Sequence, residues 1–223
     1  MSGRALNAIS LLALLIVSRS VHGQVICQFT PNYVLAAPVQ HPEPNVFLGA
    51  SFSYALDSVN QWAAGADVAY HPSPALALGV GAAYCDPKFD LDPKPMFGAS
   101  VTWSTAVSAD RTWAVSGAVA VSYVAIDLGS TTQKEVAAPA IVAIHYTRGR
   151  LRAYTGGMIQ YGRSWTTVTT IRSTIDPGGV AGVEIQLSRT LAAGAGYNFL
   201  WLKDASGNTG FLDRAGLRLR YGL

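Results

Sequence analysis

The chain has 223 residues, half of them apolar and 13% charged, with a formal charge of +3. A charged share about half that of a soluble domain excludes intrinsic disorder and a highly charged nucleic-acid binder. Mean hydropathy is +0.25, but the apolar residues are scattered among 22 glycines instead of forming blocks of about 20, which excludes a multi-span helical membrane fold.

The one aliphatic block, Ile9 to Val17, follows Arg4 and precedes a polar stretch ending in Val21-His22-Gly23. A charged start, a short apolar middle and small residues before Gln24 predict a secretory signal peptide over 1–23. A buried N-terminal helix is the alternative. Cys27 and Cys85 both survive cleavage into a compartment where thiols oxidise, so a disulfide and two free thiols both stand as readings. Residues 24–44 hold Pro31, Pro38, Pro42 and Pro44 and no clear strand.

From Asn45 onward the hydrophobic period is two, the strand period, and ten segments follow. Val46, Leu48, Ala50, Phe52 and Tyr54 share the first apolar face; Trp62, Ala64, Ala66, Val68 and Tyr70 the second, opposite Asp67. Leu76, Leu78, Val80, Ala82 and Tyr84 form the third, and Phe97, Ala99, Val101 and Trp103 the fourth. The fifth carries Trp113, Val115, Val119, Val121 and Tyr123. The sixth carries Val136, Ala138, Val142, Ile144 and Tyr146 opposite His145, with Pro139 predicting a bulge. The seventh sets Leu151, Ala153, Ile159 and Tyr161 against Arg152 and Tyr154. Ala181, Val183, Ile185 and Leu187 oppose Glu184 in the eighth. Leu191, Ala193, Ala195, Tyr197, Phe199 and Trp201 make the ninth. The last, Ala215 to Leu223, sets Leu217, Leu219, Tyr221 and Leu223 against Arg218 and Arg220.

The connections after segments two, four, six and eight read as tight turns. Those after three, five, seven and nine read as long polar loops: Asp86–Pro95, Asp127–Glu135, Arg163–Gly179 and Lys203–Asp213. The minor face of each segment is Gly, Ala and Ser, too small for the coat of a soluble sheet, so the large apolar face is predicted to meet lipid. The outward aromatics sort into two rings: Tyr54, Trp62, Tyr84, Phe97, Tyr123, Tyr161, Phe199 and Trp201 above, and Tyr70, Trp103, Trp113, Tyr146 and Tyr221 below. Such rings suit the two headgroup layers. A sheet in lipid must close on itself, so the reading is an all-β, closed antiparallel transmembrane barrel over 45–223 with about ten strands, eight or twelve being alternatives.

With these features the sequence resembles the bacterial outer-membrane β-barrel proteins. The terminal strand is similar to their C-terminal insertion signal, although it ends in Leu223 where many end in phenylalanine. The resemblance implies an exported, porin-like outer-membrane protein that contacts outer-membrane lipid and, through its last strand, the outer-membrane insertion machinery. It implies no cofactor.

Inward charges are Asp67, Arg152, Glu184, Arg218 and Arg220. They read as a lumenal ion-pair network or, with three arginines against two carboxylates, as the constriction of a weakly anion-preferring pore. Residues 24–44 read as a periplasmic tail or a lumen segment. Asp86, Asp90 and Asp92 match no calcium loop, and no metal site is expected. His41, His71 and His145 lack a nucleophile motif, so a structural or small-pore role is expected. A plugged, adhesin-like barrel with ligand-binding loops and a lipid-modifying enzyme are the alternatives.

Overall fold

The computed structural model describes residues 46–56, 61–86, 94–127, 132–166, 172–203 and 209–223. Among them none is helical. Ten antiparallel strands run in chain order: β1 (Val46–Ala55), β2 (Trp62–Ser73), β3 (Leu76–Asp86), β4 (Lys94–Ala106), β5 (Trp113–Asp127), β6 (Thr132–Arg148), β7 (Leu151–Thr166), β8 (Arg172–Gln186), β9 (Leu191–Lys203) and β10 (Thr209–Gly222). Each pairs with its sequence neighbours, and β10 pairs with β1 from Phe47↔Gly222 to Ala55↔Arg214, so the sheet closes as a barrel with no free edge. Closure pairs the first and last strands with each other, so neither leaves an open edge toward a hydrocarbon surround.

The side chains sort as the period of two dictates. Leu78 is 42% exposed, Val101 48%, Val121 44% and Val183 46%, all on the outer face. Their neighbours Ala77, Ser100, Ala120 and Glu184 are buried on the lumen side. Bulky apolar side chains therefore coat the outside, the inverse of a soluble barrel.

Three expectations need correction. Parts of the long loops are strand: β8 begins at Arg172, not near Ala181, and β10 at Thr209, so the connections shrink to 87–93, 128–131, 167–171 and 204–208. The reason is that a strand leaving the bilayer meets water on both faces. It loses its hydropathic alternation while its backbone ladder continues. Second, Pro139 causes no bulge. Its register with β7 is unbroken through Pro139↔Gln160, and on the β5 side the pairing lapses between Val119↔Ala140 and Ser122↔Ala137 without a shift, as a missing N–H demands. The register shift falls instead between Tyr70 and Ser73, around Pro72. Third, the inner face is not uniformly small: Met96, Val124, Ile126, Ile141, Met158, Leu200, Leu202 and Leu212 are buried in the lumen.

Val46 and the C-terminus share one rim, joined by Leu223 N–H donating to the Val46 carbonyl at 2.9 Å. We call this the lower rim. It carries the turns 74–75, 107–112, 149–150 and 187–190. Gly149, at φ +59°, opens the two-residue β6–β7 turn, the place where a hairpin needs a left-handed residue.

Candidate functional site

The lumen gathers charged side chains into ion pairs. In its lower half Arg218 on β10 donates from Nη2 to Oδ2 of Asp67 on β2 at 2.6 Å. The strand between them, β1, places Gly49 level with Asp67 and next to Arg218's register partner Ser51. A Cβ at Gly49 would stand 2.7 Å from Arg218 Nη2 and 2.8 Å from Asp67 Cγ, so the bridge needs a residue without a side chain there. Arg152 and Glu184 are direct register partners on β7 and β8 and meet at 2.7 Å. Arg220 reaches the same Glu184 oxygen at 3.0 Å, passing over β9, and lies against the Phe47 ring, 4.8 Å from its centroid. All five side chains of the predicted set thus join in two clusters that link β7, β8, β10 and β2.

Sequence reasoning missed Glu135, Asp176 and Arg214, which are also buried on the lumen side. Arg214 donates to Gln61 Oε1 at 3.1 Å, and Gln133 donates to Glu135 at 2.5 Å. Asp176 and Arg214 fell in or beside segments read as loops; extending the inward parity of β8 and β10 by a few residues would have found them. With them the buried and ion-paired lumenal charges among the described residues are Asp67, Glu135, Asp176 and Glu184 against Arg152, Arg214, Arg218 and Arg220.

Beside the charges Tyr154 lies across the inner surface of β8 and β9. Side chains at Gly182 or Gly196 would collide with its phenol ring or hydroxyl. Ser116 Oγ and His145 Nε2 share a hydrogen bond at 2.7 Å, and both residues are fully buried. This is the Ser–His contact that a hydrolase would need, but it is sealed inside the barrel. The His145 Nδ1 atom has no partner among the described residues to orient the ring.

The upper lumen mixes the polar side chains of Glu135, Asp176 and Arg214 with two apolar clusters. Ala63, Ala83, Cys85, Met96, Val124 and Ile126 form one buried cluster, and Leu200, Leu202 and Leu212 belong to another with Tyr154 and Met158. Cys85 is disulfide-bonded; Cys27 lies outside the described residues, as do Asp90 and Asp92. No group of three or more His, Cys, Asp or Glu able to hold a metal occurs among the described residues.

On the outer face the predicted aromatics all point away from the lumen. Eleven are exposed; Trp62 and Phe199 are half-buried. Trp113 and Tyr146 pack with ring centroids 4.9 Å apart near the lower rim. Toward the upper rim Phe199, Trp201 and Phe211 form a cluster with centroids 5.1 to 6.4 Å apart. Phe211 escaped the sequence reading because it stood inside a presumed loop.

A closed, all-antiparallel, ten-strand barrel with an apolar exterior is the architecture of bacterial outer-membrane β-barrel proteins. No protein-family model matches the chain, and no curated protein matches it. Among solved structures it is similar to Neisserial surface protein A (14% identity, covering 81% of this chain and 98% of that one, TM-score 0.42). It is also similar to the translocator domain of the autotransporter NalP from Neisseria meningitidis (11% identity, 82% and 90% coverage, TM-score 0.44). A third similar structure is Ail, the attachment invasion locus protein of Yersinia pestis (11% identity, 80% and 96% coverage, TM-score 0.42). Identities this low concern the fold alone.

Proposed function

We propose that the protein is a non-enzymatic, structural barrel of the bacterial outer membrane, exported with a cleaved signal peptide, whose lumen is closed to solutes. The observation that carries this reading is the state of the lumenal charges. In a conducting pore, arginines and carboxylates stand in water and act on passing ions. Here Asp67 and Arg218 are buried and paired to each other, and Glu184 is buried against two arginines. Charges so desolvated need their partners, and they tie strands together in the way a structural network does.

The buried Ser116–His145 contact supports the same reading, since an enzyme acting on lipid needs its nucleophile on the outer face or at a rim. Conductance of the purified chain in planar bilayers tests the proposal. No channel steps are expected; reproducible steps scaling with the amount of protein would overturn it.

A further inference from the structure

We propose that the lower rim between β4 and β9 binds anionic phospholipid, with a headgroup phosphate held between Arg111 and Arg148; the inference is independent of whether the lumen conducts. Trp113 on β5 and Tyr146 on β6 are register partners on the outer face, their ring centroids 4.9 Å apart. One step toward the rim, Thr147 donates its N–H to the Thr112 carbonyl at 2.8 Å. The ladder therefore continues past the aromatic pair, and Arg111 and Arg148 come next along the two chains. Arg148 keeps the outward parity of Val142, Ile144 and Tyr146, and both arginines are exposed. Two cations thus stand side by side just beyond two aromatic rings.

The basic arc runs on around the rim. Arg150 lies in the β6–β7 turn, and its carbonyl accepts the Gln186 N–H at 2.8 Å. The Gln186 side chain in turn donates to the Arg189 carbonyl in the β8–β9 turn at 3.4 Å. Arg150 and Arg189 are exposed as well. None of the four arginines takes part in an ion pair among the described residues. Asp110 is the one acidic side chain in the turns 107–112, 149–150 and 187–190, and its carboxylate already accepts the N–H and the hydroxyl of Thr112.

Like charges at neighbouring strand positions repel, and an anion shared between them turns that repulsion into attraction. A phosphate suits two guanidinium groups, each of which offers it a planar fork of donors. Height on the barrel selects a lipid over a soluble anion. Trp and Tyr rings settle where acyl chains meet headgroups, and exposed Val107, Leu187 and Leu151, the last a register partner of Arg148, add apolar surface at the same level. An arginine just beyond such a belt lays its stem on apolar surface and carries its charge to the depth of the phosphates. Arg111 also holds φ +56°, the one positive φ outside glycine among the described residues. The turn keeps a cation where the backbone alone would favour glycine.

The test titrates the full-length mature chain, folded in zwitterionic micelles, with phosphatidylglycerol or phosphatidylcholine and reads bound lipid by native mass spectrometry. The parent chain is expected to retain phosphatidylglycerol in preference to phosphatidylcholine. Arg148→Gln should weaken phosphatidylglycerol binding about fivefold, and Arg111→Gln together with Arg148→Gln about 25-fold, with phosphatidylcholine binding unchanged. Arg163→Gln removes an exposed arginine near the upper rim, beside the Trp165 ring, and should alter neither. Heat-modifiable gel mobility checks that each variant is folded; if the double variant is not, Arg148→Gln alone carries the test. Equal retention of the two lipids by the parent, no loss of phosphatidylglycerol in the Arg148 variant, or an equal loss from Arg163→Gln overturns the proposal. Displacement of the lipid by millimolar inorganic phosphate assigns the pair to a soluble anion and overturns it too.

Discussion

Arg218 and Asp67 meet at 2.6 Å although their strands are not neighbours: β1 runs between them, and the pair closes over Gly49. Two long-range partners and one missing side chain thus make a single unit in the lower lumen. Asp67→Asn leaves the Arg218 guanidinium buried without its counter-charge, and the expected loss is about 3–5 kcal/mol. Urea unfolding in micelles measures it. Adding Arg218→Met to Asp67→Asn should recover part of that loss, since a buried pair removed whole costs less than one broken.

Gly49→Val should cost about as much as breaking the pair, because the new side chain occupies the space where the two charges meet. Gly117 supplies the control. It sits on the outer face, where an added Cβ finds its nearest neighbour 3.8 Å away, on the Trp103 ring. Gly117→Ala should be neutral or stabilise by about 0.4–1 kcal/mol by restricting the unfolded chain. Equal effects at the two positions would refute the assignment of Gly49 to the bridge.

Gly149 opens the β6–β7 turn at φ +59°, with nothing within 4 Å of an added Cβ. Gly149→Ala therefore meets no clash and isolates the backbone cost of a left-handed residue, about 1–2 kcal/mol. Folding yield into vesicles and urea midpoints both read it.

In the exposed β4–β5 turn, hydrogen bonds from Ser108 and Thr112 hold the Asp110 carboxyl down to about 2 from its ordinary 3.8. Thr112 donates its N–H at 3.0 Å and its hydroxyl at 2.5 Å. A depressed carboxylate stabilises the fold in full above its unfolded value. The contribution fades as pH falls below about 4 and is gone near 2. The unfolding midpoints of the parent chain and Asp110→Asn should differ at pH 6 and converge at pH 2. A gap that persists at pH 2 would contradict this account of the turn.

The barrel was legible in the sequence because lipid on one side and a crowded lumen on the other impose opposite chemistry at every second residue. Val119 and Val121 against Ala118 and Ala120 state that rule in four positions. The strand ends above the bilayer were not legible, since water on both faces erases the alternation: Asp176 and Phe211 sit in strands that read as loops. The lower charge cluster could be named from parity alone, as Asp67 and Arg218 were. Their pairing could not, because it depends on β10 closing against β1 and on the space over Gly49. The Ser116–His145 contact likewise depends on a β5–β6 register that periodicity does not fix.

The outward direction of the bulky face is tested most directly by spin labels placed one at a time at Ala118, Val119, Ala120, Val121 and Ser122 on β5, with the chain in bilayers. Labels at 119 and 121 should be readily relaxed by oxygen dissolved in the hydrocarbon and poorly by a water-soluble nickel complex, and labels at 118, 120 and 122 should lose the oxygen response, giving a period of two. Nickel access at 119 and 121, or five labels that behave alike, would contradict a barrel that turns its valines toward lipid.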